Sequence, residues 1–197
     1  ILGLSFVMIW GIVIYKLNRE FSTPGTEVPA TWFAILNSLF IIMFAPLFSR
    51  WWESKYNPTG AVKYGIGLIL LGTGFGFLVF GSLAIPQGAE TAAVSMIWLI
   101  LAYLFHTLGE LCISPVGLSY LSKLVPGRMI AFMFGIYYLA IAIGNKLAHY
   151  MGGKIDAITA QYSLSTFFLI FTIVPVVAGL LAMVLNPVLK KLMHGVR

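Results

Sequence analysis

Six apolar runs set the frame for anything this chain can become. They fall at about 1–17, 31–52, 61–85, 92–122, 129–151 and 163–185, close to or beyond the roughly 20 residues an α-helix needs to cross a bilayer. Short polar connections separate them: NREFSTPGTEVP from Asn18, ESKYNPTG from Glu53, PQGAE from Pro86, VPGR from Val125 and DAITAQ from Asp156. Such segments carry turn chemistry. Nothing has the character of a soluble domain, a low-complexity tract or a long linker. Only 9% of the residues are charged and 60% are hydrophobic, whereas a soluble domain carries about 25% charge. The expected fold is an all-α membrane protein, a six-transmembrane-helix bundle occupying residues 1–197. Its first run begins at Ile1 without a basic n-region or cleavage site, so it is expected to be a span and not a signal peptide, in the middle of a longer chain.

Six spans place alternate connections on opposite sides of the membrane. One side receives Arg50, Lys55, Lys63, Lys123, Arg128, Lys190, Lys191 and Arg197, and the other receives Lys16, Arg19, Lys146 and Lys154. Eight against four assigns the first side to the cytoplasm. A multi-pass cell-membrane protein with a cytoplasmic C-terminus follows. The net charge of +6 therefore reports topology. Nucleic acid is not expected, because the basic residues lie at helix ends instead of clustering on one face.

Several residues describe how the spans pack. Pro46, Pro115 and Pro175 fall inside runs, where proline removes a backbone hydrogen bond and lets a helix break or kink. Gly72 and Gly76 form a small-xxx-small pair suited to close helix approach. The single cysteine, Cys112, reads as a small buried hydrophobe. It permits no intrachain disulfide.

Polar groups inside the runs carry the chemical information. Glu110 has 19 uncharged residues before it, from Thr91, and 12 after it, up to Ser122. A carboxylate at such a depth costs roughly 2.5 to 3.5 kcal/mol on insertion scales, so it needs a partner or a task. Asn37, in ATWFAILNSLF, would likewise leave donors and acceptors unsatisfied in lipid. Both are expected to face the bundle interior, Glu110 as a functional group or as a protonated or hydrogen-bonded structural acid, and Asn37 as a functional group or as a helix-to-helix hydrogen bond. Tyr137 and Tyr138 lie mid-run in FGIYYLAIAIGN, away from the interfaces where Tyr collects, and they line either a polar cavity or a packed contact. Lys146 lies where it can snorkel.

Catalytic chemistry finds no foothold. His106 and Glu110 are four residues apart on one helical face, a spacing two metal ligands can use. A third ligand is missing, because His149 and His194 fall near opposite surfaces. His106 is expected to be a hydrogen-bonding neighbour of the acid. No G-x-S-x-G, H-E-x-x-H or Ser-Lys arrangement occurs. No enzyme activity, metal or cofactor is expected. A buried acid, an amide and proline-interrupted helices instead suggest a path for a solute and a proton.

The stretch GELCISPVGLSYLSKLVP, Gly109 to Pro126, resembles the tenth-helix motif of the proton-dependent oligopeptide transporters, a branch of the major facilitator superfamily. WFAILNSLFIIMFAPLF resembles the eighth helix of that family, MFGIYYLAIAIGN its eleventh and LKKLMHGV its cytoplasmic tail. The resemblance implies that the chain is the C-terminal half of the fold, helices seven to twelve. It also implies that the N-terminal half, with the family's first-helix proton-coupling motif, is a separate part of the same transporter. Glu110 would receive the amino terminus of a di- or tripeptide, with Asn37, Ser114, Tyr137, Tyr138 and Trp10 completing the substrate-binding set. Two features depart from the family pattern. Tyr137 and Tyr138 stand where many members have Trp-Phe, and Trp10 is followed by GIVIY in place of an acidic or Gln pair, leaving an interdomain salt bridge there without its acid. The implied function is proton-coupled peptide symport by alternating access, with peptide, protons and lipid as partners. The alternatives are a major facilitator for a drug, nitrate or an amino acid, and a membrane scaffold with no solute path.

Overall fold

In the computed structural model, residues 30–86 and 94–192 are described, together with Gly11 and Tyr15. The chain divides into two compact units, Ile1–Trp32 and Phe33–Arg197. Apart from Gly11 and Tyr15, the run at 1–17, with Trp10, lies outside the described residues. Those residues form seven helices: α1 Ala30–Glu53, α2 Gly60–Ser82, α3 Ile97–Leu124, α4 Ile130–Gly152, α5 Ile155–Gln161, α6 Leu164–Val184 and α7 Asn186–Leu192. A 3-10 turn, Gly127–Met129, links α3 to α4.

Five of these elements, in α1, α2, α3, α4 and α6, are long and apolar enough to cross a membrane. They coincide with five of the six apolar runs, because a helix is the one open structure that satisfies every backbone group in hydrocarbon. Many of their large apolar side chains are exposed, Ile42 at 73% and Ile143 at 62% among them. Such surfaces require lipid or protein for cover. The chain is a multi-pass membrane protein.

The core is built on α2, which packs against α3 on one side and α6 on the other. Its glycines explain why. Gly65 and Gly72, seven residues apart, face α6, where Met183 with the Gly179 carbonyl oxygen and Val176 with the Thr172 carbonyl oxygen occupy the space a side chain would take. Gly67, Gly74 and Gly81, at the same spacing, face the Gly109 carbonyl, His106 and Trp98 of α3. Missing side chains on two faces let both neighbours come within backbone contact. Gly72 thus does what the small-xxx-small pattern predicted, whereas Gly76 makes only an ordinary contact with Thr172. Cys112 is 1% exposed in this core.

All three proline-containing helices continue without a break through Pro46, Pro115 and Pro175, one lost hydrogen bond being tolerated in a spanning helix. DAITAQ, expected as a turn, lies in helix α5. Ile155 and Ile158 share a face there, and Asp156 occupies the favourable first turn.

Close approach at Gly109 yields a direct test. A Cβ there would lie 2.7 Å from the Gly67 carbonyl oxygen and 2.9 Å from Leu71 Cγ. Gly109→Ala is expected to destabilise the protein by roughly 1–3 kcal/mol, the usual cost of overpacking. Gly135→Ala, where nothing lies within 4 Å, is expected to be neutral or slightly stabilising through helix propensity. Thermal unfolding of the two variants in detergent separates them, and equal midpoints would refute the close contact.

Candidate functional site

Glu110 stands at the middle of α3, thirteen residues from Ile97 and fourteen from Leu124. Its carboxylate is exposed, not enclosed among the described helices. The glycine faces of α2 draw α3 to one side, and Glu110 lies on a part of α3 they leave uncovered.

Asn37 of α1 meets this acid. Its Nδ2 donates to Glu110 Oε2 at 3.5 Å, at the long end of hydrogen-bonding distances. The amide oxygen is held more firmly, accepting from Thr107 Oγ1 at 2.5 Å. That hydroxyl also lies 2.8 Å from the Tyr103 carbonyl, and Thr107 is 0% exposed. One turn away, Phe33 and Tyr103 stack with ring centroids 6.2 Å apart, which fixes α1 against α3 beside the polar contact.

The amide orientation follows from donor and acceptor chemistry. The NH2 of Asn37 faces Glu110 and its oxygen faces Thr107, a donor toward the carboxylate and an acceptor toward the hydroxyl. Thr107 is therefore the residue that sets the amide. One long hydrogen bond from Asn37 leaves the carboxylate most of its roughly four acceptor positions. What the arrangement can do is accept hydrogen bonds from a cationic donor arriving at the open face.

The other predicted residues are placed as follows. Ser114, one turn beyond Glu110 on the same helix, is exposed. Tyr137 of α4 is half-buried, with its hydroxyl beside Gly117 of α3 and hydrogen-bonded to Tyr64 of α2. Tyr138 is 56% exposed and meets Tyr137 edge-on, at 5.6 Å between centroids. The structure brings Glu110 and Asn37 together. Trp10 lies outside the described residues.

His106 corrects an expectation. Its ring packs on Phe75 at 4.6 Å, it hydrogen-bonds the Leu71 backbone, and its buried Nε2 has no partner among the described residues. It turns toward α2 and not toward the acid, because Gly74 opens a space there. No group of three or more His, Cys, Asp or Glu able to hold a metal occurs among the described residues.

Comparisons with known proteins bear on the same segment. The chain is 36% identical over 206 residues to the uncharacterized transporter YclF of Bacillus subtilis, covering 99% of this chain and 40% of that protein. It is 33% identical over 175 residues to the peptide transporter YePEPT of Yersinia enterocolitica, covering 87% and 34%. A crystal structure of a mutant of the peptide transporter POT in complex with alafosfalin superposes with a TM-score of 0.70 at 30% identity, over 88% of this chain and 35% of that one. The chain thus spans between a third and two fifths of the length of these relatives. Residues 5–170 match the model of the POT family, and the chain belongs to that family.

Proposed function

We propose that this chain is the C-terminal six-helix half of a proton-coupled symporter of di- and tripeptides. Membership of the POT family supports this reading, as do relatives that are peptide transporters. The observation that carries it is the mid-span carboxylate of Glu110, exposed and held on one side by Asn37. A lone acid at this depth is costly in lipid. It is well used where a cavity closes over it and a peptide brings a positive amino terminus.

In this proposal the N-terminal half of the same transporter supplies the opposite wall and the groups that accept the driven proton. The halves rock about a midplane site to expose the peptide to each side in turn. Asn37 aligns Glu110, Ser114 extends the polar face, and the excess of basic residues puts the C-terminus in the cytoplasm.

Uptake by the full-length transporter in proteoliposomes tests the function. A proton gradient is expected to drive dipeptide accumulation, and di- and tripeptides are expected to compete while single amino acids, nitrate and drugs do not. Competition by a single amino acid at the same concentration would move the assignment to another solute.

The aromatic pair has its own expectation. With Tyr137 tied to Tyr64, Tyr138 is the member free to line a side-chain pocket. Tyr138→Ala is expected to lower affinity for bulky dipeptides by about fourfold for each ligand methylene that loses its cover, at about 0.8 kcal/mol each. Small dipeptides are expected to be little affected, so the ranking changes. An equal loss for all peptides, in step with lower protein abundance, would return Tyr138 to packing.

A further inference from the structure

A second constellation lies where the C-terminal end of α3, the turn after α1, the start of α2 and α7 meet. Four lysines, Lys55, Lys63, Lys123 and Lys190, line a cavity of about 650 Å³, and no Asp or Glu is among its lining residues. Glu53, the acid nearest in sequence, is exposed and accepts from Ser49 Oγ at 3.3 Å. Summed positive charge in a concave wall attracts anions more strongly than the same charge spread on a flat surface.

The position of these lysines is as informative as their sign. Lys55 follows the end of α1, Lys63 is in the first turn of α2, Lys123 is in the last turn of α3 and Lys190 is in α7. All four occupy the ends of elements that cross the membrane or border it, which is headgroup level. Their neighbours hold the wall in place. Lys63 Nζ sits 4.7 Å from the Trp52 ring centroid and Lys55 Nζ 5.3 Å from that of Tyr56, which restrains two ammonium groups without neutralising them. Thr59 Oγ1 donates to Asn186 Oδ1 at 2.6 Å, tying the start of α2 to α7. The Gly60 amide donates to the Tyr120 hydroxyl at 3.1 Å, leaving the Tyr120 O–H as a donor.

An independent feature names the source of the anion. A second cavity, about 410 Å³, shares Gly60, Ala61, Tyr120 and Leu189 with the first and continues along apolar walls that include Leu121, Leu124 and Met133. A cationic chamber at headgroup level that opens onto an apolar groove matches one chemical class. A free phosphate ion would use only the first chamber.

We infer that the lysine-lined cavity binds the phosphate headgroup of an anionic phospholipid, with an acyl chain lying in the adjoining groove. Basic pockets between membrane helices recognise headgroups in this way, each lysine adding attraction for the phosphate. The inference rests on the chain being a membrane protein and is independent of which solute is carried.

Native mass spectrometry of the full-length transporter in detergent provides the test, with phosphatidylglycerol and phosphatidylcholine as probes at equal concentration. Wild type is expected to retain phosphatidylglycerol roughly tenfold more than phosphatidylcholine. Lys63→Gln with Lys190→Gln is expected to remove most of that preference, again roughly tenfold, while Lys63→Arg with Lys190→Arg keeps it. Soluble glycerol phosphate is expected to compete far less well than the diacyl lipid, because it leaves the groove empty. Equal retention of the two lipids by wild type would overturn the proposal, and that arm needs no variant to fold. Loss of the preference in the arginine pair would overturn it too. Displacement of phosphatidylglycerol by glycerol phosphate as readily as by the lipid itself would make the cavity a site for a free anion only.

Discussion

Glu110→Gln in the full-length transporter is expected to lower the apparent affinity for free dipeptides in proton-driven uptake by about ten- to a hundredfold. That range is the factor carried by a charge-assisted hydrogen bond worth roughly 1.5 to 3 kcal/mol. The amide keeps the shape of the side chain and can still accept from Asn37 Nδ2, now 3.5 Å from the carboxylate. What it loses is the negative charge offered to an arriving ammonium. Peptides with an acetylated amino terminus bring no such charge and are expected to lose little. Equal loss for both classes, at matched abundance, would make Glu110 a structural acid.

Thr107→Val is expected to weaken free dipeptides by roughly fivefold to a hundredfold, although Thr107 is 0% exposed and touches no ligand. The substitution preserves volume and removes the hydroxyl that holds the Asn37 oxygen. Leaving that oxygen without a donor costs roughly 1–3 kcal/mol. The amide is then no longer held against α3, and its NH2 leaves the Glu110 carboxylate it donates to. The acid loses its one oriented donor. Thr107 is thus a positioning residue, and its signature is a reduced discrimination between free and acetylated peptides with Thr107→Ser restoring the wild-type ratio. A uniform fall in affinity that tracks thermal stability, unrepaired by serine, would leave Thr107 with a packing role alone.

Why the sequence revealed Glu110 and Asn37 but not Thr107 has a physical explanation. A charge or an amide inside an apolar run stands out because lipid cannot satisfy it. A threonine in the same run can return its hydroxyl to its own helix, as Thr107 does toward the Tyr103 carbonyl, so it raises no question until its second partner is seen. The described spans were legible for a similar reason. Runs of about 20 apolar residues have few alternatives, and the bounds of α1, α2, α4 and α6 lie within a few residues of those expected.

Interhelical features were harder to read. Gly72 was visible as part of a small-residue pattern, but the two stripes Gly65–Gly72 and Gly67–Gly74–Gly81 show their purpose only when α6 and α3 are in place. His106 was expected beside Glu110 because four residues separate them, yet the opening at Gly74 on another helix decides its direction. The lysine cavity could not be seen along the chain at all, since Lys55 lies in the turn after α1 and Lys63, Lys123 and Lys190 come from three separate helices. Their positions at helix ends were read as topology, and the concave arrangement is a property of the fold.

The central claim is that Glu110 receives the amino terminus of a peptide, and a binding cycle without a proton gradient tests it most directly. A free dipeptide and its N-acetylated form are titrated calorimetrically into the full-length wild type and Glu110→Gln at one fixed pH. The predicted result is a large loss for the free peptide only, giving a coupling between ammonium and carboxylate of roughly 1.5 to 3 kcal/mol. The contradictory result is a coupling near zero, with both ligands weakened alike or neither weakened.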